Sequence, residues 1–363
     1  MTDLLYSEAE EDLRAAVRAL LSDRNDPAAV AVRAEEGTAY DAGLWKALAA
    51  DMGVAGLLVP EELGGQGASH REAAVVLEEL GRAVVPAPYL TSSVVATEVL
   101  LACDTGKPEV AQLLGSLASG RRTAALVAGL SAGPDDFRPL PGLDGMLSTV
   151  ADAATADVLL VPTFRGLYAV ERSGDGVHVT PQIPLDLTRP LAAVRLDGAA
   201  GTLLADAERT RAAVRQGLLA GAGLLASEQL GLAEWCLEET VRHTKERHQF
   251  NRPIGSFQAL KHRMAQLWLE VVSARAAARN AADALATGSD EAPLGVAIAQ
   301  AYCAGVAVHA AEECVQLHGG IGMTWEHPAH LYLKRAKADA IAFGSAGAHQ
   351  EAIGRLVALP APQ

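Results

Sequence analysis

Long stretches of helical sequence, separated only by short breaks, fill the chain from about residue 206 to its end. They are predicted at residues 212–247, 257–287, 293–317 and 329–343. In the second stretch the apolar residues recur at the spacing that places side chains on one face of a helix. They are Met264, Leu267, Trp268, Val271 and Val272. Long helices joined by short loops are typical of a bundle, so we predict a four-helix bundle over residues 206–363.

The N-terminal part, residues 1–118, is also predicted to be helical. Ser7 followed by Glu10 is a typical helix start, because the two residues can cap each other's backbone N–H groups. Further helices are predicted at residues 41–52, 71–85, 92–103 and 110–117. The intervening segment VPEELGGQGAS must be irregular, since its proline and glycines resist helix formation.

Residues 119–205 have a different pattern. Short runs rich in Val, Leu and Thr, such as DVLLVP, GLYAVE and VHVTP, are bounded by Gly, Pro and Asp. Such runs are typical of strands, and their regular spacing predicts an antiparallel β-sandwich or small barrel. The predicted fold class is therefore mainly α with a central β domain.

The composition limits the partners of such a fold. Hydrophobic residues make up 50% of the chain but aromatic residues only 4%, so the core must consist mostly of Ala, Leu and Val. The formal net charge of −14 disfavours nucleic-acid binding, because an acidic surface repels phosphate backbones.

Cysteine usage and the N-terminus indicate a cytoplasmic protein. Cys103, Cys236, Cys303 and Cys314 show no paired or metal-binding spacing, so we predict four buried free thiols and no metal site. The first residues are acidic, unlike a secretory signal. No segment is predicted to span a membrane.

Two segments carry candidate binding residues. The first, RHQFNRPIGSFQ, begins at Arg247 between two long helices, and its Asn, Pro and Gly residues favour a turn. Arginine and glutamine beside phenylalanines suit a ligand with a flat ring and a phosphate. The alternative is a helix-ending turn with exposed polar groups.

The second segment, QLHGGIGM, begins at Gln316 at the end of the third bundle helix. Its three glycines allow the backbone to approach a ligand closely. Glycines also end helices routinely, so by itself this segment fits an ordinary helix C-terminus equally well. His318 alone is more often a packed histidine than a catalyst.

The two segments together resemble the acyl-CoA dehydrogenase family, whose patterns are R-x-Q-F-G-x-P-I-x-x-F-Q and Q-x-x-G-G-x-G. The segment VPEELGGQG is similar to the family's P-E-x-x-G-G loop. The order of helices, strands and helices also resembles that family's architecture. The resemblance covers nearly the whole chain.

The resemblance implies FAD, an acyl-CoA thioester and an electron-transfer acceptor. In the family a carboxylate removes the α-proton while the β-hydrogen leaves as hydride to the flavin. The family's FAD lies across a subunit interface, and residues of the two segments bind the neighbour's adenosine and pyrophosphate. By position these are Arg247, Gln249, Phe250, Gln258, Gln316, Gly319 and Gly320.

The chain departs from the family patterns in the segments that carry the catalytic base and contact the flavin ring. Gly344 stands where the family's Y-E-G-T segment carries its glutamate base, and glycine cannot accept a proton. Some members place the base near the position of Gly221, where the nearest carboxylate is Glu228. Glu228 is either a relocated base or a polar contact inside the bundle. In the predicted flavin-ring loop, VAGLSAGPDD, only Ser131 and Gly133 resemble the family's T-E-P-x-A-G-S-D pattern.

These departures resemble those of heteromeric acyl-CoA dehydrogenases of steroid degradation, which assemble as α2β2 tetramers. The segments LDLTRP and PIGSFQALKHRMA are similar to that subclass. The resemblance implies a subunit that completes a partner's FAD site and lacks a base. Two alternatives remain: a self-sufficient homo-oligomeric enzyme whose base is Glu228 or another carboxylate, and a non-enzymatic scaffold on the same fold.

Overall fold

The chain was analysed as a computed structural model that describes residues 4–37 and 40–360. A helical N-terminal part, a β-rich middle part and a helical C-terminal part follow one another along the chain. This order confirms the predicted fold class, mainly α with a central β domain.

The N-terminal helices pack around one apolar core. They are α1 (Glu8–Arg24), α2 (Pro27–Glu35), α3 (Ala42–Lys46), α4 (His70–Arg82), α5 (Thr97–Leu101) and α6 (Pro108–Ala118). Helix α1 begins as predicted: the Glu10 backbone N–H donates to Ser7 Oγ, and the Ser7 N–H donates to Glu10 Oε2 over 2.6 Å. The residues after α3 and before α5 continue those helices with π-helical turns, Ala47–Asp51 and Tyr89–Ala96.

The predicted irregular segment before α4 is a tight turn around a short 3₁₀ helix, Glu61–Leu63. Gly64 has a φ of 87°, a conformation that L side chains rarely adopt. A Cβ at Gly65 would lie only 1.9 Å from the Val59 carbonyl oxygen, so the chain can close this turn only with glycine.

The middle part consists of two sheets packed face to face. The strands are β1 (Ala124–Leu126), β2 (Asp144–Ala151), β3 (Val158–Thr163), β4 (Gly166–Glu171), β5 (Val177–Gln182), β6 (Leu191–Asp197) and β7 (Thr202–Asp206). One sheet has the order β1-β3-β4-β7 and the other β2-β6-β5. Leu159 and Val170 of the first sheet and Val150 and Val194 of the second form the core between them.

Two details of this sandwich differ from the prediction. The β1–β3 pair is parallel, whereas we expected an antiparallel domain. The parallel pair arises because the chain leaves β1, crosses to the second sheet as β2 and returns as β3. The strand β2 was not predicted at all, because most of its side chains face solvent and it therefore lacks an apolar run.

The C-terminal part is the predicted bundle with one additional helix. Its helices are α7 (Ala207–Glu246), α8 (Gln258–Ala286), α9 (Ala292–His318), α10 (Ala329–Asp339) and α11 (Ala346–Leu356). The fourth predicted helix, 329–343, was too long. The chain leaves helical geometry after Asp339 and reaches left-handed φ values of 53° at Phe343 and 103° at Gly344.

Close backbone contact joins the bundle to the N-terminal part. A Cβ at Gly231 of α7 would lie 1.9 Å from the Glu78 carbonyl oxygen of α4, and a Cβ at Gly81 would lie 2.2 Å from the Glu228 carbonyl oxygen. These glycines let the two helices touch at their backbones, so α7 belongs to both cores.

The central helix α9 is apolar along its length. The stretch Ala292–Met323 is long and apolar enough to cross a membrane, contrary to our expectation that no segment would be, and 61% of its most apolar window is buried inside the protein. It packs against α7, α8, α10 and α11 as the centre of the bundle. The four cysteines are buried free thiols, as predicted.

Candidate functional site

The first candidate segment forms a two-residue hairpin at the C-terminal end of α7. Arg247 ends the helix, and strands β8 (His248–Gln249) and β9 (Arg252–Pro253) pair across the turn. Phe250 and Asn251 both have positive φ values, 52° and 59°. Positive values at both central residues define the type I′ turn, whose twist matches that of paired strands.

Phe250 is held in this conformation although phenylalanine rarely adopts it. Its side chain is 86% exposed and meets the Phe257 ring edge-on, with ring centroids 6.1 Å apart. The Arg252 guanidinium lies 3.9 Å from the centre of the Phe257 ring. A strained, exposed aromatic residue at a turn indicates a binding surface rather than a packing role.

The second candidate segment forms an open loop at the end of α9. Gly319 has φ 63° and ψ −137°, and residues Gly319–Met323 form a 3₁₀ helix. A Cβ added at Gly319 or Gly320 would meet no atom within 4 Å. The backbone at these two residues is therefore accessible, as the close approach of a ligand requires.

The two segments lie at the same end of the bundle. His243, one turn before Arg247, stacks on His318, which directly precedes Gly319, with ring centroids 4.1 Å apart. We call the residues Arg247–Gln258, together with Gln316 and Gly319–Met323, the hairpin end.

Four polar side chains at the hairpin end have no partner in the part of the chain that the structure describes. Arg247, Gln249, Gln258 and Gln316 are exposed and make no side-chain hydrogen bond or ion pair with described residues. Gln258 is also the first residue of α8, whose N–H groups favour negative charge. Together these donors fit the adenosine and pyrophosphate of a dinucleotide, because they combine a free guanidinium, amides and bare glycine backbone.

A second region, far from the hairpin end, contains the residues that match the family's base and flavin-ring segments. The Phe343 backbone N–H donates to the Leu130 carbonyl over 2.8 Å. In return, His349 Nε2 contacts the Phe343 carbonyl oxygen at 3.0 Å. We call residues 129–136 together with Ala342–Gly344 the closed end.

The small cavity beside Phe343 has no room for a flat ring system. Phe343 borders a cavity of about 30 Å³ with Leu130, Ala151 and Leu218, enough for about two water molecules. Gly133 donates its N–H to Asp136 within the same loop, and Ser131 is exposed. The hydroxyl of Ser131 therefore faces solvent rather than this cavity.

Gly344 cannot be replaced by a base without rearrangement. Its φ of 103° disfavours any side chain, and a Cβ there would lie 3.0 Å from His349 Nε2. The absence of a carboxylate at this position is therefore built into the backbone conformation.

Glu228, the other candidate base, is buried between two arginines. Its Oε1 accepts hydrogen bonds from Arg189 Nη2 at 2.6 Å and Arg335 Nη1 at 2.5 Å. Burial by itself would raise the pKa of Glu228, but the two guanidinium charges outweigh it and hold that pKa below its ordinary value. A carboxylate that is ionised and already bonded to two cations is a weak proton acceptor, so the polar contact is the better of the two interpretations.

The partners of Glu228 come from the LDLTRP segment and from α10. Arg335 Nε donates to Asp186 Oδ2 over 2.5 Å, and Arg335 Nη2 donates to the Thr188 carbonyl over 2.9 Å. Arg189 also lies 3.2 Å from Asp339 Oδ1, without the alignment of a hydrogen bond. We call Asp186, Arg189, Glu228, Arg335 and Asp339 the arginine–carboxylate cluster. Sequence reasoning noted LDLTRP only as a resemblance and missed this role.

The cluster contains more carboxylates than arginines. Burial is the main reason that the pKa of Asp339 rises to about 8, although Arg189 and Arg335 lower it; the charge of Glu228 adds to the rise. Asp339 therefore stays protonated at neutral pH, which leaves two ionised carboxylates opposite two guanidinium groups.

Comparison with known proteins identifies the family to which this chain belongs. Residues 7–121 match the family description "Acyl-CoA dehydrogenase, N-terminal domain", and residues 211–358 match "Acyl-CoA dehydrogenase, C-terminal domain". The acyl-CoA dehydrogenase IpdE2 of Mycolicibacterium smegmatis is 39% identical over 339 residues, covering 93% of this chain and 95% of that protein. The chain belongs to the acyl-CoA dehydrogenase family.

Solved structures of the acyl-CoA dehydrogenase family share the whole fold. The ChsE4–ChsE5 complex from Mycobacterium tuberculosis has a chain with a TM-score of 0.85 and 28% identity, covering 99% of this chain and 100% of that one. A variant of the Tcur3481–Tcur3483 steroid ACAD has a TM-score of 0.84 and 26% identity over 97% of this chain and 98% of its own.

Membership of the acyl-CoA dehydrogenase family establishes the general chemistry. Its members are oxidoreductases that act on CH–CH bonds, and FAD is their cofactor. In this acyl-CoA dehydrogenase the hairpin end carries exposed donors without partners among the described residues, whereas the cavity beside Phe343 is too small for a flavin ring.

Carboxylates do occur beside the closed end of this acyl-CoA dehydrogenase. An open cleft of about 590 Å³ adjoins Gly344 and is lined by Asp135, Asp136 and Glu351. Asp135 pairs with Arg215 at 2.8 Å, and Asp136 accepts the Gly133 N–H. Glu351 is exposed on α11 and does not line the small cavity beside Phe343.

Proposed function

We propose that this chain is the subunit of a heteromeric acyl-CoA dehydrogenase that completes the FAD site of a partner chain and supplies no catalytic base. The observation that carries the proposal is the contrast along α7. Arg247 at the hairpin end is exposed and unpaired among the described residues, whereas at the closed end only a cavity of about 30 Å³ remains between Phe343, Leu130 and Leu218.

Distance supports donation of these side chains to a neighbouring chain. A Cβ at Gly221 of α7 would lie 3.3 Å from the Phe343 ring, so Gly221 marks the closed end on this helix. A helix rises 1.5 Å per residue, which puts Arg247 roughly 40 Å away from Gly221. Side chains at the hairpin end therefore cannot reach a ring held at the closed end of the same chain.

The roles of individual residues follow from their chemistry. Arg247 would pair with the pyrophosphate, since a guanidinium binds phosphate oxygens in a fixed geometry. Gln249, Gln258 and Gln316 would bond polar groups of the adenosine side, and Phe250 would cover its apolar face. Gly319 and Gly320 would approach the cofactor with bare N–H groups. FAD, when bound, supplies the acceptor for the substrate's β-hydrogen.

The base and the flavin-ring pocket would come from the partner chain. This division needs no proton acceptor at Gly344 and leaves Glu228 as a structural anion. The ChsE4–ChsE5 and Tcur3481–Tcur3483 structures, each named for two chains, support a heteromeric assembly. The second is called a steroid ACAD, which supports a sterol-derived acyl-CoA thioester as the substrate class. We also propose an α2β2 assembly in the cytoplasm, with an electron-transfer protein as the acceptor.

The decisive experiment compares the chain alone with the chain co-expressed with the products of the adjacent genes. We expect the isolated chain to carry no flavin absorbance and to show no acyl-CoA-dependent dye reduction. A co-purified tetramer should carry both. Stoichiometric FAD and turnover in the isolated chain would overturn the proposal and favour a self-sufficient enzyme.

Within the tetramer, Arg247→Ala tests the donated contact directly. Loss of a charge-assisted hydrogen bond of about 1.5–3 kcal/mol should weaken FAD retention roughly 10- to 100-fold. Arg263→Ala is the matched control, because Arg263 is an exposed arginine of α8 that pairs with Glu313 on its own chain. Equal FAD retention in the two variants would contradict the role of Arg247.

The scaffold alternative predicts a different outcome. If the chain has no catalytic purpose, neither Arg247→Ala nor omission of the chain should alter flavin content or turnover of any co-expressed dehydrogenase chain.

A further inference from the structure

Three side chains from separate parts of the sequence meet beside the hairpin end. Glu239 lies on α7, His318 ends α9, and His327 precedes α10. Glu239 Oε1 lies 3.5 Å from His318 Nε2 and 3.3 Å from His327 Nε2. One ligand atom from each residue lies within 4.8 Å of the others, and no other such group occurs among the described residues.

His318 is already arranged as a metal ligand. Its side chain is fully buried, and its Nδ1 lies 2.6 Å from the Cys314 carbonyl oxygen. In the neutral ring Nδ1 carries the proton, since a carbonyl can only accept, and Nε2 presents a lone pair. Nε2 has no hydrogen-bond partner and faces Glu239. A backbone carbonyl that fixes the far nitrogen in this way is the usual support of a metal-bound histidine.

The other two residues are less completely arranged. His327 Nδ1 accepts the Ala329 N–H at 3.2 Å, so its Nε2 carries the proton that faces Glu239. Binding through Nε2 would move that proton to Nδ1 and release the bond to Ala329. Glu239 also accepts two hydrogen bonds from the half-exposed Arg242, one at each carboxylate oxygen, and Oε2 can keep its bond while Oε1 turns to a cation.

We propose that Glu239, His318 and His327 form a binding site for a divalent cation of the zinc class. Two imidazole nitrogens and one carboxylate oxygen are ligands that Zn²⁺ prefers, and a water molecule would take the fourth tetrahedral position. The buried, unpartnered Nε2 of His318 is the observation that points to a ligand, because a buried acceptor without a partner is destabilising.

The cation would fasten the glycine loop to α7. His318 and His327 flank residues 319–326 on both sides, and Glu239 connects them to the helix that ends at Arg247. A bound ion would therefore fix the segment Gly319–Met323 in its position relative to the segment Arg247–Gln258. This site does not depend on the proposed subunit role, because all three ligands lie on one chain.

Calorimetric titration of the isolated, EDTA-treated chain with ZnCl₂ tests the site, with Co²⁺ absorbance as a second readout of tetrahedral coordination. We expect one ion per chain. Glu239→Gln and His327→Ala should each weaken binding by at least about tenfold, since even loss of a supporting contact around a metal costs that much. Glu239→Gln keeps a hydrogen-bond acceptor for Arg242, so it should fold normally.

His309→Ala is the matched control. His309 is a partly exposed histidine of α9 that contacts two carboxylates, Glu270 and Glu313, outside the proposed site. Its loss should leave the affinity for Zn²⁺ unchanged. Absence of one-to-one binding, or equal binding by wild type, Glu239→Gln and His327→Ala, would overturn the proposal. No FAD enters the measurement, so either result leaves the subunit role to its own test.

Discussion

The hairpin end and the closed end of the bundle differ in how their polar groups are satisfied. At the hairpin end, Arg247 and Gln316 face solvent without partners among the described residues. At the closed end, backbone bonds tie Phe343 to Leu130, and the neighbouring arginine–carboxylate cluster pairs its buried charges.

The difference supports our proposal that the hairpin end holds part of a cofactor. A buried group that is already bonded has nothing left for a ligand, whereas an exposed donor exchanges water for phosphate at little cost. The same α7 helix thus carries a surface prepared for a ligand and an interior that is complete without one.

The largest expected effect comes from breaking the arginine–carboxylate cluster. Arg335→Met should lower the free energy of unfolding by about 3–5 kcal/mol, because it leaves Glu228 and Asp186 buried with a single arginine. Urea unfolding followed by circular dichroism measures the change. Arg263→Met, which removes an exposed pair, should cost less than about 1 kcal/mol. Equal losses of unfolding free energy in Arg335→Met and Arg263→Met would mean that the buried cluster stabilises the protein no more than an exposed ion pair does.

Removing the Phe343 ring from the closed end should have the second largest effect on stability. Phe343→Ala removes a buried ring and should lower the free energy of unfolding by about 3 kcal/mol. Phe164→Ala, at a ring that is 65% exposed, should change it by less than about 0.5 kcal/mol. If Phe343→Ala instead allowed the isolated chain to retain FAD, the ring alone would account for the missing flavin-ring pocket.

The protonated state of Asp339 predicts a pH effect. Between about pH 4 and about pH 8 the folded chain holds a proton on Asp339 that the unfolded chain has lost, given its pKa of about 8 in the fold. This contribution to stability is complete below pH 4 and falls by up to about 1.4 kcal/mol per pH unit as the pH rises. Asp339→Asn should flatten the unfolding free energy against pH relative to wild type, and the exposed Asp290→Asn should not.

The smallest expected effect on stability lies at the hairpin end. Arg247→Ala should change the free energy of unfolding by less than about 0.5 kcal/mol, because the side chain has no partner to lose. Thermal unfolding of the isolated chain checks this. A loss of several kcal/mol would show that Arg247 supports the fold, and its effect on FAD retention would then need another explanation.

Local signals predicted much of the fold. Ser7 and Glu10 cap α1 as expected, and the helices α7, α8 and α9 begin and end within five residues of the predicted limits. Capping and apolar periodicity act over a few residues, so they can be recognised in a single sequence. The strand β2 was missed because its exposed face gave no such pattern.

Contacts between distant residues could not be predicted in the same way. Glu228 meets Arg189 and Arg335, which are 39 and 107 positions away. Nothing in the sequence near Glu228 indicated that two cations would neutralise it. The approach of His327 to Glu239 is equally long-range, and the spacing of these residues matches no recognised metal motif.

The glycine crossing of α4 and α7 limits how this chain can evolve. Gly81 packs against the backbone of Glu228, and two arginines form ion pairs with its side chain. Both the backbone and the side chain of Glu228 are therefore fixed in position. For Glu228 to act as a base, the α4–α7 crossing, the segment that carries Arg189 and the helix α10 that carries Arg335 would all have to change together. Single substitutions can still alter the solvent-facing loops. We therefore expect related proteins to acquire new functions through changes at their subunit interfaces.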